Sequence, residues 1–238
     1  MNQREKRENI TGAAMKSVAV LASVYGLCRN FKGPISLSYF TDLSNIFLDI
    51  VLLVFLFKNI RSLKSGVEKE MPNGWYVVKF MAVISITLTF LIYLTLLAPT
   101  NEGGFLYAYF CNGAGSFCVH FVAPVLGILD FILFDYRYVS SRLHILYSIV
   151  PAYCYVIFVL ILSHFGVRWG TKRAPYNFLN FGAPTGWFGF DLSLMGSETL
   201  GIGVAYMVVV LTILFSGIGA LYLVVKDVRR RKVMGEQS

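Results

Sequence analysis

Six stretches dominated by apolar side chains recur along the chain, at residues 12–28, 38–57, 75–98, 117–134, 145–165 and 199–225. Each is close to the ~20 residues that a helix needs to cross the hydrocarbon core of a bilayer. No water reaches the backbone there, so a spanning segment must satisfy its own N–H and C=O groups, as an α-helix does. The pattern predicts an all-α integral membrane protein with six transmembrane helices over residues 12–225. A short polar segment, 1–11, precedes them and a basic tail, 226–238, follows. Composition agrees: 14% of the side chains are charged and 56% hydrophobic, where a soluble domain carries about 25% charged residues.

The net charge of +8 acts first on topology. Arg4, Lys6 and Arg7, then Lys58, Arg61, Lys64 and Lys69, then Arg137 and Arg142, then Lys226, Arg229, Arg230, Arg231 and Lys232 all fall on the side of the termini. The other side holds Arg29, Lys32, Arg168, Lys172 and Arg173. This asymmetry places both termini in the cytoplasm. Basic residues beside spans form no reading surface, so the charge does not point to nucleic acid. Compact loops and a basic tail, which rests near anionic headgroups or simply stops transfer, suit a bacterial plasma membrane. The first span follows basic residues as a signal peptide would, yet it lacks a small-residue cleavage site and contains Lys16, so it is read as retained. Lys16 and Lys79 are expected to snorkel toward the membrane surface.

Four cysteines, Cys28, Cys111, Cys118 and Cys154, show no metal-binding spacing. Cys111 and Cys118 could meet at one membrane edge, though free, buried thiols are the expectation. His144 falls in a loop on the terminal side and is read as solvated. The longest connection, residues 166–198, carries Tyr176, Trp187 and Phe190 among many Gly and Pro residues. It is too aromatic for disorder and is expected to form an interfacial lid or re-entrant segment.

The chemistry concentrates in YFTDLSNIFLD, residues 39–49. Polar groups at membrane depth are costly and usually face a bundle interior. Asp42, Asn45 and Asp49 recur at i, i+3 and i+7 and share one helix face, with Thr41 at its edge. A second helix carrying His120 is expected to pack against that face. The second and fourth spans run in the same direction, so Thr41 and His120 are both about one turn below the same membrane surface. Asp49 and Asp130 lie roughly 12–15 Å deeper than their partners. A threonine hydroxyl needs a base to become a nucleophile, and histidine is suited to that task. Free N–H groups in the first helical turn could hold an oxyanion. Blander readings stand beside this one. Thr41 could help cap its helix, His120 could bond between helices, Asp42 and Asp49 could pair with Lys16 or a tyrosine, and Pro124 could simply kink the fourth helix.

Four motifs, YFTDLSNIF, LLAP at 96–99, HFVAPVLGILDFILF at 120–134 and PYNFL at 175–179, together resemble the bacterial six-helix relatives of the androgen-induced membrane hydrolases. The resemblance implies hydrolysis of fatty-acid esters of hydroxy fatty acids, with Thr41 as nucleophile and His120 as its partner. It implies a membrane lipid ester as substrate and no metal or organic cofactor. Asp42, Asn45, Asp49, Pro124, Asp130 and Tyr176 would support or line the site. The competing expectation is a transporter or lipid-binding sensor, with Asp42, Asp49, His120 and Asp130 as a proton or cation path. No inverted repeat or pair of broken helices supports transport.

Overall fold

A computed structural model describes residues 1–99, 101–196 and 199–235. Its helices are α1 (Gln3–Asn30), α2 (Phe40–Ser65), α3 (Asn73–Ile92), the short α4 (Phe105–Phe110), α5 (Gly115–Phe134), α6 (Ile145–His164) and α7 (Val204–Gly235). All but α4 are long and apolar enough to span a membrane. The protein is thus a six-span, all-helical membrane protein.

The helices overrun the apolar stretches where good helix formers continue into polar sequence. Asn2 and Glu5 form a reciprocal capping box that starts α1 nine residues before its apolar run. Helix α2 continues through Lys58 and Arg61 until Gly66, whose φ of 66° ends it in the left-handed conformation. Helix α7 starts at Val204, later than the expected 199, because Phe190 and Ile202 pair as an isolated bridge ahead of it.

The chain divides into two compact units. Residues 1–148, with the stretch from Gly219 onward, form the first. Its apolar core takes Leu48, Leu52 and Phe55 from α2, Phe80 and Ile84 from α3, and Phe131 from α5. Gly26 brings α1 into close contact with α5. A Cβ there would lie 2.6 Å from the Gly115 carbonyl oxygen and 2.6 Å from the Val119 side chain.

A charged layer crosses this core. Lys16 of α1 donates to Asp130 Oδ1 at 2.6 Å, and Lys79 of α3 donates to Asp130 Oδ2 at 2.5 Å. Lys79 also pairs with Asp135 at 2.5 Å. Lys226 donates to the Phe131 carbonyl at 2.6 Å and lies over the Phe131 ring. Lys16 and Lys79 are 1% and 0% exposed, so neither snorkels as expected. A buried carboxylate on the facing helix offers a closer counter-charge than the membrane surface.

Residues 149–218 form the second unit. Its connection between α6 and α7 folds back on itself. Trp169 and Lys172 exchange backbone hydrogen bonds, Gly203 N–H donates to Gly189, and the Thr185 and Thr199 hydroxyls meet at 2.9 Å. The Ser193 hydroxyl and backbone N–H hold the Asp191 carboxyl below the usual carboxylate range. Tyr176 packs between Tyr155 and Phe178. The expected end of this segment, Glu198, lies outside the described residues.

Two further expectations are corrected. His144 is not a solvated loop residue, because its Nδ1 meets the Tyr138 hydroxyl at 2.6 Å and its ring stacks on the Tyr138 ring. Cys111 and Cys118 are free, as expected, but Cys111 is exposed and Cys118 only half-buried.

Asp130 compensates two buried ammonium groups, and removing it would strand Lys16 and leave Lys79 with Asp135 alone. Asp130→Ala is expected to cost about 3–5 kcal/mol, lowering Tm in detergent by about 6–20 °C. Thermal unfolding of purified variants measures this; an unchanged Tm would refute it.

Candidate functional site

The polar face of α2 starts in its first turn. Tyr39 occupies the N-cap position without a side-chain cap bond, and Asp42 supplies the acid in that turn. The Thr41 carbonyl accepts from Ser44 Oγ at 3.0 Å and from Asn45 Nδ2 at 2.9 Å. With the Ser44 proton committed there, the Thr89 hydroxyl of α3 donates to Ser44 at 2.9 Å.

Asn45 is fully buried. The same Nδ2 that reaches Thr41 donates to the Val119 carbonyl of α5 at 3.2 Å. One side-chain amide therefore joins the turn that bears Thr41 to the residue before His120. Its Oδ1 lies 3.3 Å from Ser23 Oγ of α1, which donates to Asp49 Oδ2 at 2.7 Å.

His120 and Tyr93 occupy matching irregularities. Tyr93–Leu97 ends the α3 span as a π-turn, and Cys118–Val122 is a π-turn within α5. Each precedes a proline, Pro99 and Pro124 respectively. Proline lacks the N–H that closes a regular helical turn, and a wider turn redistributes the remaining bonds. Pro124 is thus the origin of a local π-turn in α5. The two turns bring the Tyr93 and His120 rings face to face, centroids 3.6 Å apart and 8° from parallel. The Tyr93 hydroxyl donates to the Ala108 carbonyl at 2.5 Å, leaving Ser116 to donate to it at 2.7 Å. The tyrosine is a fixed shelf beneath the imidazole.

Three groups here lack the partners that their burial calls for. His120 Nδ1 and Asp49 Oδ1 are buried without a hydrogen bond among the described residues. Asp42 is half-buried, and no hydrogen bond or ion pair engages its carboxylate among the described residues. No hydrogen bond joins the Thr41 hydroxyl to the His120 ring. Asp130 does not support His120, because Lys16 and Lys79 take both its oxygens. Tyr176 belongs to the second unit. No grouping of three His, Cys, Asp or Glu side chains suited to a metal occurs among the described residues.

Sequence reasoning missed Tyr93, Ser23, Ser44 and Thr89. Ser23 had a signal: it stands seven residues after Lys16 and shares its helix face. Tyr93 had none, because a tyrosine near a span end reads as an interface anchor.

Asn45→Asp preserves shape but deletes both N–H donors. It is expected to destabilise the protein by about 1–3 kcal/mol, because the Val119 carbonyl loses its side-chain donor, the Thr41 carbonyl keeps only Ser44, and a new buried charge appears. Chemical or thermal unfolding against wild type checks this, and equal stability would refute it.

No family model matches the chain, and no curated protein or solved structure matches it either.

Proposed function

We propose that this protein is an intramembrane hydrolase of fatty-acyl esters, with Thr41 as nucleophile and His120 as general base. The carrying observation is the His120 imidazole, clamped on Tyr93 with an unpartnered buried Nδ1 and tied through Val119 and Asn45 to the turn of Thr41. A bundle interior rarely leaves an imidazole nitrogen unused, and π-turns are frequent at functional sites. The motif resemblance to the androgen-induced membrane hydrolases supports the same pair.

The reaction follows from the parts. His120 accepts the Thr41 proton as the hydroxyl oxygen attacks the ester carbonyl carbon. The developing oxyanion is met by N–H groups of the first α2 turn, which no N-cap side chain occupies. His120 returns the proton to the departing alcohol, leaving an acyl-threonine that water hydrolyses by the same exchange. The hydroxyl and the ring engage when substrate closes the site, as catalytic contacts often tighten only in the complex. A lipid ester reaches the site laterally, past exposed apolar side chains such as Leu21 and Ile50. These steps ask for no metal or organic cofactor.

Both termini are cytoplasmic in this reading, within a bacterial plasma membrane, on the strength of the Lys and Arg asymmetry. A reporter active only in the cytoplasm, fused to the C-terminus, is expected to be active. Activity of an exclusively periplasmic reporter there would reverse the assignment.

The direct test is labelling of detergent-purified protein with a fluorophosphonate, which traps activated hydroxyls, beside turnover of a fatty-acyl ester of a hydroxy fatty acid. Thr41→Ala and His120→Ala are each expected to abolish labelling and to reduce turnover by roughly 1,000-fold or more while remaining folded. Undiminished turnover in either folded variant would refute the assignment.

A further inference from the structure

Asp49 is not used by that chemistry. It sits two helical turns from Thr41, 7% exposed within the bundle. Its Oδ2 accepts one hydrogen bond, from Ser23, and its Oδ1 accepts none among the described residues. No lysine or arginine pairs with it. Lys16, on the same face of α1 as Ser23, is committed to Asp130. A carboxylate buried in a membrane bundle with one hydroxyl for company has a large uncompensated desolvation cost.

The polar contacts of this cluster are between oxygens. Ser23 Oγ stands 2.7 Å from Asp49 Oδ2 and 3.3 Å from Asn45 Oδ1. The Asn45 amide is oriented by its Nδ2 bonds to Thr41 and Val119, so its oxygen, not its nitrogen, is turned toward Ser23. The serine has one proton, so it cannot donate fully to both acceptors, and its lone pairs remain available. A carboxylate oxygen, a hydroxyl and an amide oxygen thus meet from α1 and α2, and the second carboxylate oxygen is buried without a partner among the described residues. Hard oxygen donors suit hard cations, and a single carboxylate is too little charge for a Ca²⁺ or Mg²⁺ cage.

We propose that Asp49, Ser23 and Asn45 form an intramembrane binding site for a monovalent cation, Na⁺, in which the Asp49 carboxylate balances the ion. The 3.3 Å between Ser23 Oγ and Asn45 Oδ1 is an edge that suits the smaller Na⁺ better than K⁺. Asp42 is the natural approach. It lies seven residues earlier on the same helix face, nearer the end of α2, half-buried and unpaired, so it draws cations toward the face that leads to Asp49. The site joins α1 to α2 next to the Asn45 bridge, so its occupancy stabilises the bundle whether or not the protein hydrolyses esters.

The test is thermal unfolding of the full chain in detergent, titrated with NaCl and, at matched ionic strength and pH, with KCl or choline chloride. Wild type is expected to show a saturable rise in Tm with Na⁺, about 3–6 °C at tenfold excess over Kd, absent with choline and smaller with K⁺. Asp49→Asn is expected to lose the Na⁺ response and, without Na⁺, to be at least as stable as wild type, because the uncompensated charge is gone. Ser23→Ala is expected to weaken Na⁺ binding several-fold and keeps the test decisive should Asp49→Asn fail to fold. A wild-type Tm indifferent to cation identity would overturn the site, as would a full Na⁺ response in Asp49→Asn or an undiminished one in Ser23→Ala. A Tm that follows pH but not Na⁺ would mean that a proton neutralises Asp49, and would overturn it equally.

Discussion

The paired bonds from Lys16 and Lys79 to Asp130 set the register on which the first unit depends. Two ammonium groups and a carboxylate out of water are stable only where all three meet. Sliding α1 by one turn, about 5.4 Å, would strand Lys16 and leave half of Asp130 bare. The layer therefore selects one relative placement of α1, α3 and α5. Seven residues along α1 from Lys16, about 10 Å, that placement sets Ser23 against Asn45 and Asp49. Eleven residues back along α5 from Asp130, it sets Val119 against Asn45. The polar site inherits its alignment from a charged layer that does not belong to it.

Within that frame the rings are placed by defects. A regular helix would carry the His120 side chain around by 100° per residue from its neighbours, whereas the π-turn before Pro124 resets the phase. The matching π-turn at Tyr93 does the same on α3. Two resets allow parallel stacking at 3.6 Å, closer than most aromatic pairs, whose centroids prefer 4.5–7 Å. Tyr93 is itself held at its hydroxyl by Ala108 and Ser116, so the imidazole rests on a surface with little freedom to move.

The six spans and the inward face of α2 were legible because both are local. Apolar length marks a span, and the i, i+3, i+7 spacing of Asp42, Asn45 and Asp49 marks a face. Helix ends were less legible, since α1 and α2 continue through charged residues whose helix propensity is good and whose hydropathy is not. The fate of Lys16 and Lys79 was not legible, because snorkelling and inward pairing are both open to a lysine until the position of Asp130 is known. The Tyr93 shelf was hidden for the same reason: neither Pro99 nor Pro124 reveals that its π-turn faces another. Sequence placed His120 and Thr41 at one level, and the structure adds the Asn45 link between their turns without a bond between hydroxyl and ring.

The bundle holds two polar layers of opposite character. In the layer of Lys16, Lys79, Lys226, Asp130 and Asp135, every ammonium group has an oxygen partner, and Lys226 adds the face of Phe131. Such a layer has no unmet demand and acts as architecture. In the layer of Asp42, Asn45, Asp49 and His120, the amide is satisfied while Asp49 Oδ1 and His120 Nδ1 are not. Buried polar atoms without partners lower stability by about 1–3 kcal/mol each, and apolar side chains of similar size would avoid that cost. These two open atoms are the ones that the proposed function and the proposed ion would complete, with an ester or alcohol group at the imidazole and a cation at the carboxylate. The first layer tolerates its charges because it is closed, and the second, left open, is where the proposed chemistry is set.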